Sequence, residues 1–168
     1  MITSELRHQL QKLELVIFDF DGVMTDNKVL VAQDGTEYVR CDRSDGLGVE
    51  LLRKRGMRMM VLSKQTNPVT KARCDKLQLD CYHGIDDKLS FLQGYLREAK
   101  IKAAQTAFVG NDVNDIECLK VVGLPVAVAD AHEQVLPYAR LTLRKQGGKG
   151  AVREFCDMLL SEKFAAFR

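Results

Sequence analysis

The sequence predicts an α/β fold, a parallel sheet with helices on both faces, in one domain spanning residues 1–168. Three observations predict it. Short, largely apolar runs recur at Leu15-Val16-Ile17-Phe18, Met57 to Leu62, Thr106 to Val109 and Val126 to Ala129, and such runs suit strands buried on both faces. Helical spacings alternate with them, which is the pattern of right-handed crossovers between parallel strands. The acid-rich and hydroxyl residues follow directly on the strands' C-terminal ends, where open α/β sheets bind their ligands.

Taken in order, Ser4 to Leu13 reads as a short amphipathic helix, and Glu14 to Phe18 as a buried strand that ends abruptly in Asp19-Phe20-Asp21-Gly22. Lys28 to Ala32 and Glu37 to Arg40 are β-prone runs on either side of Gln33-Asp34-Gly35-Thr36, and Asp-Gly readily takes the backbone of a tight hairpin turn. Ser44-Asp45 is the expected cap of a helix that carries Leu47, Val49, Leu51 and Leu52 and stops at Gly56. The strand Met57–Leu62 delivers Ser63. Pro68 to Leu77 is helical in spacing, Cys81 to His83 a short strand, and Lys88 to Lys100 a helix with Leu89, Leu92 and Leu96 on one face. Thr106 to Val109 ends in Gly110-Asn111-Asp112-Val113-Asn114-Asp115. A helix Ile116–Val121, a strand Val126–Ala129, a helix Glu133–Ala139 and a strand Leu141–Leu143 follow. Gly147-Gly148-Lys149-Gly150 then breaks the chain before a last helix, Ala151–Leu160.

Composition narrows the function classes. At 168 residues, 46% hydrophobic and 29% charged, the chain is neither disordered nor fibrous. Lysine and arginine number 25 against 23 acidic residues, so the net charge of +2 makes no case for nucleic acid or a membrane surface as partner. Arg53-Lys54-Arg55 reads as a solvated helix end. The five cysteines are scattered and contain no C-x-x-C pair, which argues against a disulfide framework or zinc site and for a reducing cytoplasm. No apolar stretch reaches membrane-spanning length.

The polar strand ends carry the chemistry. Asp19 and Asp21 stand two apart after a buried strand, and Asn111, Asp112 and Asp115 follow another. Carboxylates gathered at one mouth repel unless a cation lies among them, and hard oxygen ligands suit Mg²⁺ together with water and a phosphate. Phosphoryl transfer then has a candidate nucleophile in Asp19, a candidate acid and base in Asp21, a hydroxyl and a backbone N–H at Ser63, and a cation in Lys88. His83 and His132 lack the acid partners of metal-site histidines, and the Gly147–Gly150 run lacks the Lys-Ser/Thr pair of a phosphate loop.

Asp19-Phe20-Asp21-Gly22-Val23-Met24-Thr25 resembles the first motif of the haloacid dehalogenase superfamily, and Ser63, Lys88 and Gly110 to Asp115 fall in the order of its second, third and fourth. The resemblance implies a Rossmann-like sheet, an aspartyl-phosphate on Asp19, general acid/base work by Asp21, phosphate contacts from Ser63 and Lys88, and Mg²⁺ held by Asp19, the Asp21 carbonyl and Asn111. At position 111 the commoner residue is Asp, and Asp112 or Asp115 is the expected source of the missing charge.

From about Leu13 to Leu160 the chain is similar to the capless branch. That branch includes octulosonate 8-phosphate phosphatases, nonulosonate 9-phosphate phosphatases and the C-terminal domain of some acylneuraminate cytidylyltransferases. The likeness rests on the hairpin after the first motif, Ser44-Asp45-Gly46-Leu47-Gly48, Val126 to Ala131 and Gly147 to Glu154. It implies a homotetramer with a shared site, the Gly147–Gly150 loop near a subunit interface where it closes on substrate, and Arg73 and Lys76 as ligands of a sugar-acid carboxylate. Ser63-Lys64-Gln65 replaces the Thr-Gly-Arg usual in octulosonate enzymes and, together with Gly110 to Asp115, points toward the nonulosonate or cytidylyltransferase-associated members. The expected function is a Mg²⁺-dependent phosphatase of a phosphorylated keto-sugar acid. The alternative is a catalytically weak oligomerisation module, which the acid pair disfavours and Asn111 keeps open.

Overall fold

A computed structural model describes residues 2–165. Its elements are α1 (Ser4–Lys12), β1 (Leu15–Phe18), β2 (Thr25–Val31), β3 (Glu37–Cys41), α2 (Arg43–Lys54), β4 (Arg58–Leu62), α3 (Pro68–Leu77), β5 (Asp80–Tyr82), α4 (Lys88–Ala99), β6 (Thr106–Gly110), α5 (Ile116–Val121), β7 (Leu124–Ala127), β8 (Leu141–Thr142) and α6 (Ala151–Glu162). Six strands pair in the order β5-β4-β1-β6-β7-β8, every pairing parallel, and β2 and β3 form a separate antiparallel hairpin.

The two-residue period of the strands divides the core. In β1, Val16 and Phe18 join one buried cluster with Leu10, Val49, Leu52, Cys74, Val152 and Phe155, while Leu15 and Ile17 join another with Leu92, Leu96, Cys118 and Leu119. Helices α1, α2, α3 and α6 therefore cover one face and α4 and α5 the other. No helix among the described residues is long and apolar enough to cross a membrane.

Several elements differ from expectation for physical reasons. Strand β3 continues through Cys41 and the chain turns directly into α2, with Asp42, two residues before Ser44, as the cap that accepts the Ser44 N–H at 2.7 Å. The helix expected over Glu133–Ala139 is a single 3₁₀ turn, Leu136–Tyr138, because Pro137 has no N–H to continue a helical ladder. Strand β7 starts at Leu124, with Pro125 inside it opposite Phe108.

Asp45, freed from capping its own helix, caps another. Its Oδ1 accepts the Arg153 N–H at 2.8 Å in the first turn of α6, whose Gly150 cap offers no side chain, while its buried Oδ2 has no partner. Burial pushes the Asp45 carboxyl up to about 6, against the Arg153 N–H that favours the ionised form. A pKa raised by folding gives stability that is complete below the unfolded value and lost as pH rises through the folded one. Asp45→Asn keeps the acceptor and removes the charge, so near neutral pH it should raise the melting temperature by roughly 4–8 °C, from about 2 kcal/mol. The gain should vanish by about pH 4, which melting curves across that range will show.

Candidate active site

Strands β1 and β6 lie side by side at the centre of the sheet, with β4 and β5 built outward on one flank and β7 and β8 on the other. The crevice beyond their carboxyl ends is the point where the winding reverses. Asp19 follows β1 there, its N–H bonded to the Val109 carbonyl at 2.9 Å, and Asn111 follows β6. Ser63 arrives at the end of β4 and Lys88 at the first turn of α4. Asp19, Ser63, Lys88, Asn111 and Asp115 are all buried; Asp19, Ser63 and Asn111 line a cavity of about 330 Å³ together with Asp21 and Asp112, while Lys88 and Asp115 lie behind Asp19, outside its lining.

Lys88 Nζ donates to Asp19 Oδ1 and to Asp115 Oδ1, both at 2.8 Å. The second oxygen of Asp115 accepts the N–H groups of Asn111 at 3.0 Å and Asp112 at 3.4 Å. Both Asp115 oxygens are thus engaged within the protein, and Asp115 is fully buried outside the cavity lining. Asp112 bonds the Val113 N–H at 2.7 Å and shares a capping box with Asp115. Burial, then the Asp115 carboxylate, push the Asp19 carboxyl up to about 7, opposed by Lys88. Burial works against the Lys88 ammonium, yet the two carboxylates outweigh it and hold its pKa above the ordinary lysine value. Asp21, half-buried, is raised by burial, with Lys88 and a hydrogen bond from Thr25 pulling the other way.

One amide terminus of Asn111 stands 3.2 Å from Asp19 Oδ2 and 2.9 Å from the Asp21 carbonyl oxygen. As a nitrogen it donates to both. As an oxygen it faces two further oxygens at close range, an arrangement that repels unless a cation sits among them. An octahedral Mg²⁺ with oxygens at about 2.0–2.1 Å places neighbouring ligands about 2.9 Å apart, so these oxygens fit that ion. Gly22 makes the approach possible, since a Cβ there would lie 2.0 Å from the Asn111 amide nitrogen. Among the described residues no three His, Cys, Asp or Glu side chains gather around a metal position, because this oxygen set includes an amide and a peptide group.

The structure also departs from the expected site. The Ser63 N–H is taken up by the Tyr82 carbonyl at 2.8 Å, so only the hydroxyl remains for a ligand. Arg73 and Lys76 line a different depression with Arg43, Glu50 and Arg53, and Arg73 donates to the Asp42 carbonyl at 2.9 Å; neither lines the Asp19 cavity. Asn27, Lys64, Gln65, Thr66 and Asn114 do line it. Only their closeness to the motifs could have flagged them, because polar loop residues carry no periodic signal. Gly147 and Gly148, expected as a closing loop, brace the back of the first motif. The Gly148 N–H bonds the Val23 carbonyl at 3.1 Å, and a Cβ on Gly147 would fall 1.9 Å from the Gly22 oxygen.

Comparison with known proteins bears on this geometry. The family described as haloacid dehalogenase-like hydrolase matches residues 62–155. A 3-deoxy-D-manno-octulosonate 8-phosphate phosphatase of Escherichia coli (strain B / BL21-DE3) is 31% identical over 95% of this chain and 85% of its own length. A HAD family hydrolase from Streptomyces avermitilis is 44% identical, with a TM-score of 0.88 over 90% of this chain and 87% of that one. The octulosonate 8-phosphate phosphatase of Moraxella catarrhalis, solved with magnesium, phosphate and the sugar acid, superposes with a TM-score of 0.92 over 99% of both chains at 26% identity. Because the likeness runs through nearly the whole chain, the protein belongs to the haloacid dehalogenase-like hydrolases, on the branch of the octulosonate 8-phosphate phosphatases.

Proposed function

We propose that the chain is a magnesium-dependent phosphatase of a phosphorylated eight- or nine-carbon keto-sugar acid, with Asp19 as nucleophile. The observation that carries this reading is the buried Asp19 carboxylate, one oxygen on Lys88 and the other facing the Asn111 amide and the Asp21 carbonyl at the cavity floor. Asp19 attacks phosphorus and becomes an acyl phosphate, while Asp21 gives its proton to the departing sugar oxygen. The same Asp21 then takes a proton from the water that hydrolyses the acyl phosphate. Lys88 and the Ser63 hydroxyl hold phosphoryl oxygens, with Asp115 fixing Lys88. Magnesium, held by Asp19, the Asp21 carbonyl and Asn111, supplies Lewis-acid neutralisation of the phosphoryl charge.

The relatives support the sugar-acid class. With Mg²⁺ present, octulosonate 8-phosphate or nonulosonate 9-phosphates should be hydrolysed with kcat/KM at least about 100-fold above hexose phosphates. Equal turnover of hexose phosphates, or none of any substrate, would overturn the reading.

The hairpin supports a homotetramer. Val29, Leu30 and Val31 are 54%, 71% and 58% exposed, and Tyr38 opposite Leu30 is 57% exposed, which is more apolar surface than a solvated two-stranded ribbon carries. Four copies packed through β2 and β3 bury that surface and cover the neighbouring sites. Val29→Asp with Val31→Asp should yield smaller species by light scattering, with sugar-phosphate hydrolysis reduced more than hydrolysis of p-nitrophenyl phosphate. A monomeric wild type at micromolar concentration would exclude the assembly.

A further inference from the structure

Position 111 sets how many negative charges the cation meets. Among the Asn111 amide oxygen and the two oxygens it faces, only the Asp19 carboxylate is anionic, and its other oxygen is already shared with Lys88. Behind it Lys88 is shared between Asp19 and Asp115, and the other carboxylates on the cavity, Asp21 and Asp112, are not among these three oxygens. The Asn111 amide, moreover, has a way to satisfy its neighbours without metal, because turned over it donates to Asp19 Oδ2 and to the Asp21 carbonyl. A cation must displace those two hydrogen bonds and bind one carboxylate already partly neutralised. An aspartate at 111 would offer no such alternative and would add a full charge.

We infer that Asn111 makes magnesium and the phosphoryl group bind interdependently, the anion supplying the charge and the oxygen ligand that the protein withholds. The inference rests on the proposed metal site. Without a phosphate the cation binds weakly. With one, the pair forms a nearly neutral cluster, and the uncompensated charge on the metal draws the anion. Because coupling between two ligands is reciprocal, phosphate must tighten magnesium by the same factor by which magnesium tightens phosphate. Product inhibition by phosphate therefore deepens as magnesium rises.

Calorimetric titration of the wild-type protein with MgCl₂, alone and in saturating inorganic phosphate, tests this without turnover. The expected result is a dissociation constant at least about tenfold lower with phosphate, with the matching tenfold shift when phosphate is titrated with and without magnesium. In Asn111→Asp, magnesium should bind tightly alone and phosphate should change its affinity by less than about threefold. Tight magnesium binding to the wild type that phosphate does not alter would overturn the coupling while leaving the metal site standing. No magnesium binding even with phosphate would overturn the metal site itself.

Discussion

Asp19→Asn is expected to lower kcat by at least about 10⁴-fold, since it removes the nucleophile while keeping the side chain's shape. It should do so without lowering the melting temperature. The amide oxygen can still accept from Lys88, and the Asp19 carboxyl it replaces is one that burial and Asp115 disfavour in its charged form. Loss of Asp19's charge also leaves Lys88 paired one-to-one with Asp115. Rate and stability therefore move independently, and parallel measurement of steady-state turnover and thermal unfolding separates a chemical role from a structural one. Retention of more than a small fraction of turnover would remove Asp19 as nucleophile.

Lys88→Met should cost roughly 3–5 kcal/mol of unfolding free energy in urea titrations, besides abolishing turnover. Lys88 is almost wholly buried between two carboxylates, with 2.8 Å bonds to each. Taking away the cation leaves Asp19 and Asp115 facing each other with no positive charge between them. Neutralising one of them in the double variant Lys88→Met/Asp115→Asn should restore part of the loss. A single variant less than about 1 kcal/mol weaker than wild type would show that the carboxylates are balanced by some other group.

The chemistry was legible in the sequence because parallel strands buried on both faces leave polar residues nowhere to go but their ends. Asp19, Ser63 and Asn111 therefore stand out against apolar runs, and Lys88 stands out as a cation opening a helix. What was not legible depends on contacts distant in sequence. The capping of α6 by Asp45 joins residues 108 apart, and the Tyr82 carbonyl that occupies the Ser63 N–H belongs to the neighbouring strand β5. Gly147 and Gly148 read locally as a flexible break, whereas their lack of side chains serves a turn more than 120 positions earlier. Arg73 and Lys76, which the family resemblance alone suggested as ligands, share a depression that is not the one holding Asp19. Helix Glu133–Ala139 failed where local spacing overlooked Pro137.

The place of β1 also dictates how the chain reaches its native state. Leu15–Phe18 lies in the middle of the sheet, yet both strands that flank it, β4 and β6, follow it in the chain. Its four buried side chains lack one of their two flanking strands until Thr106–Gly110, about 90 positions later, has been made. Parallel pairings between such distant segments form slowly, because long loops must close before any contact rewards them. A nascent chain thus carries this apolar strand incompletely covered while the residues between it and β6 are made, which makes that strand a natural point of contact for a chaperone and a natural seed of aggregation when none is at hand.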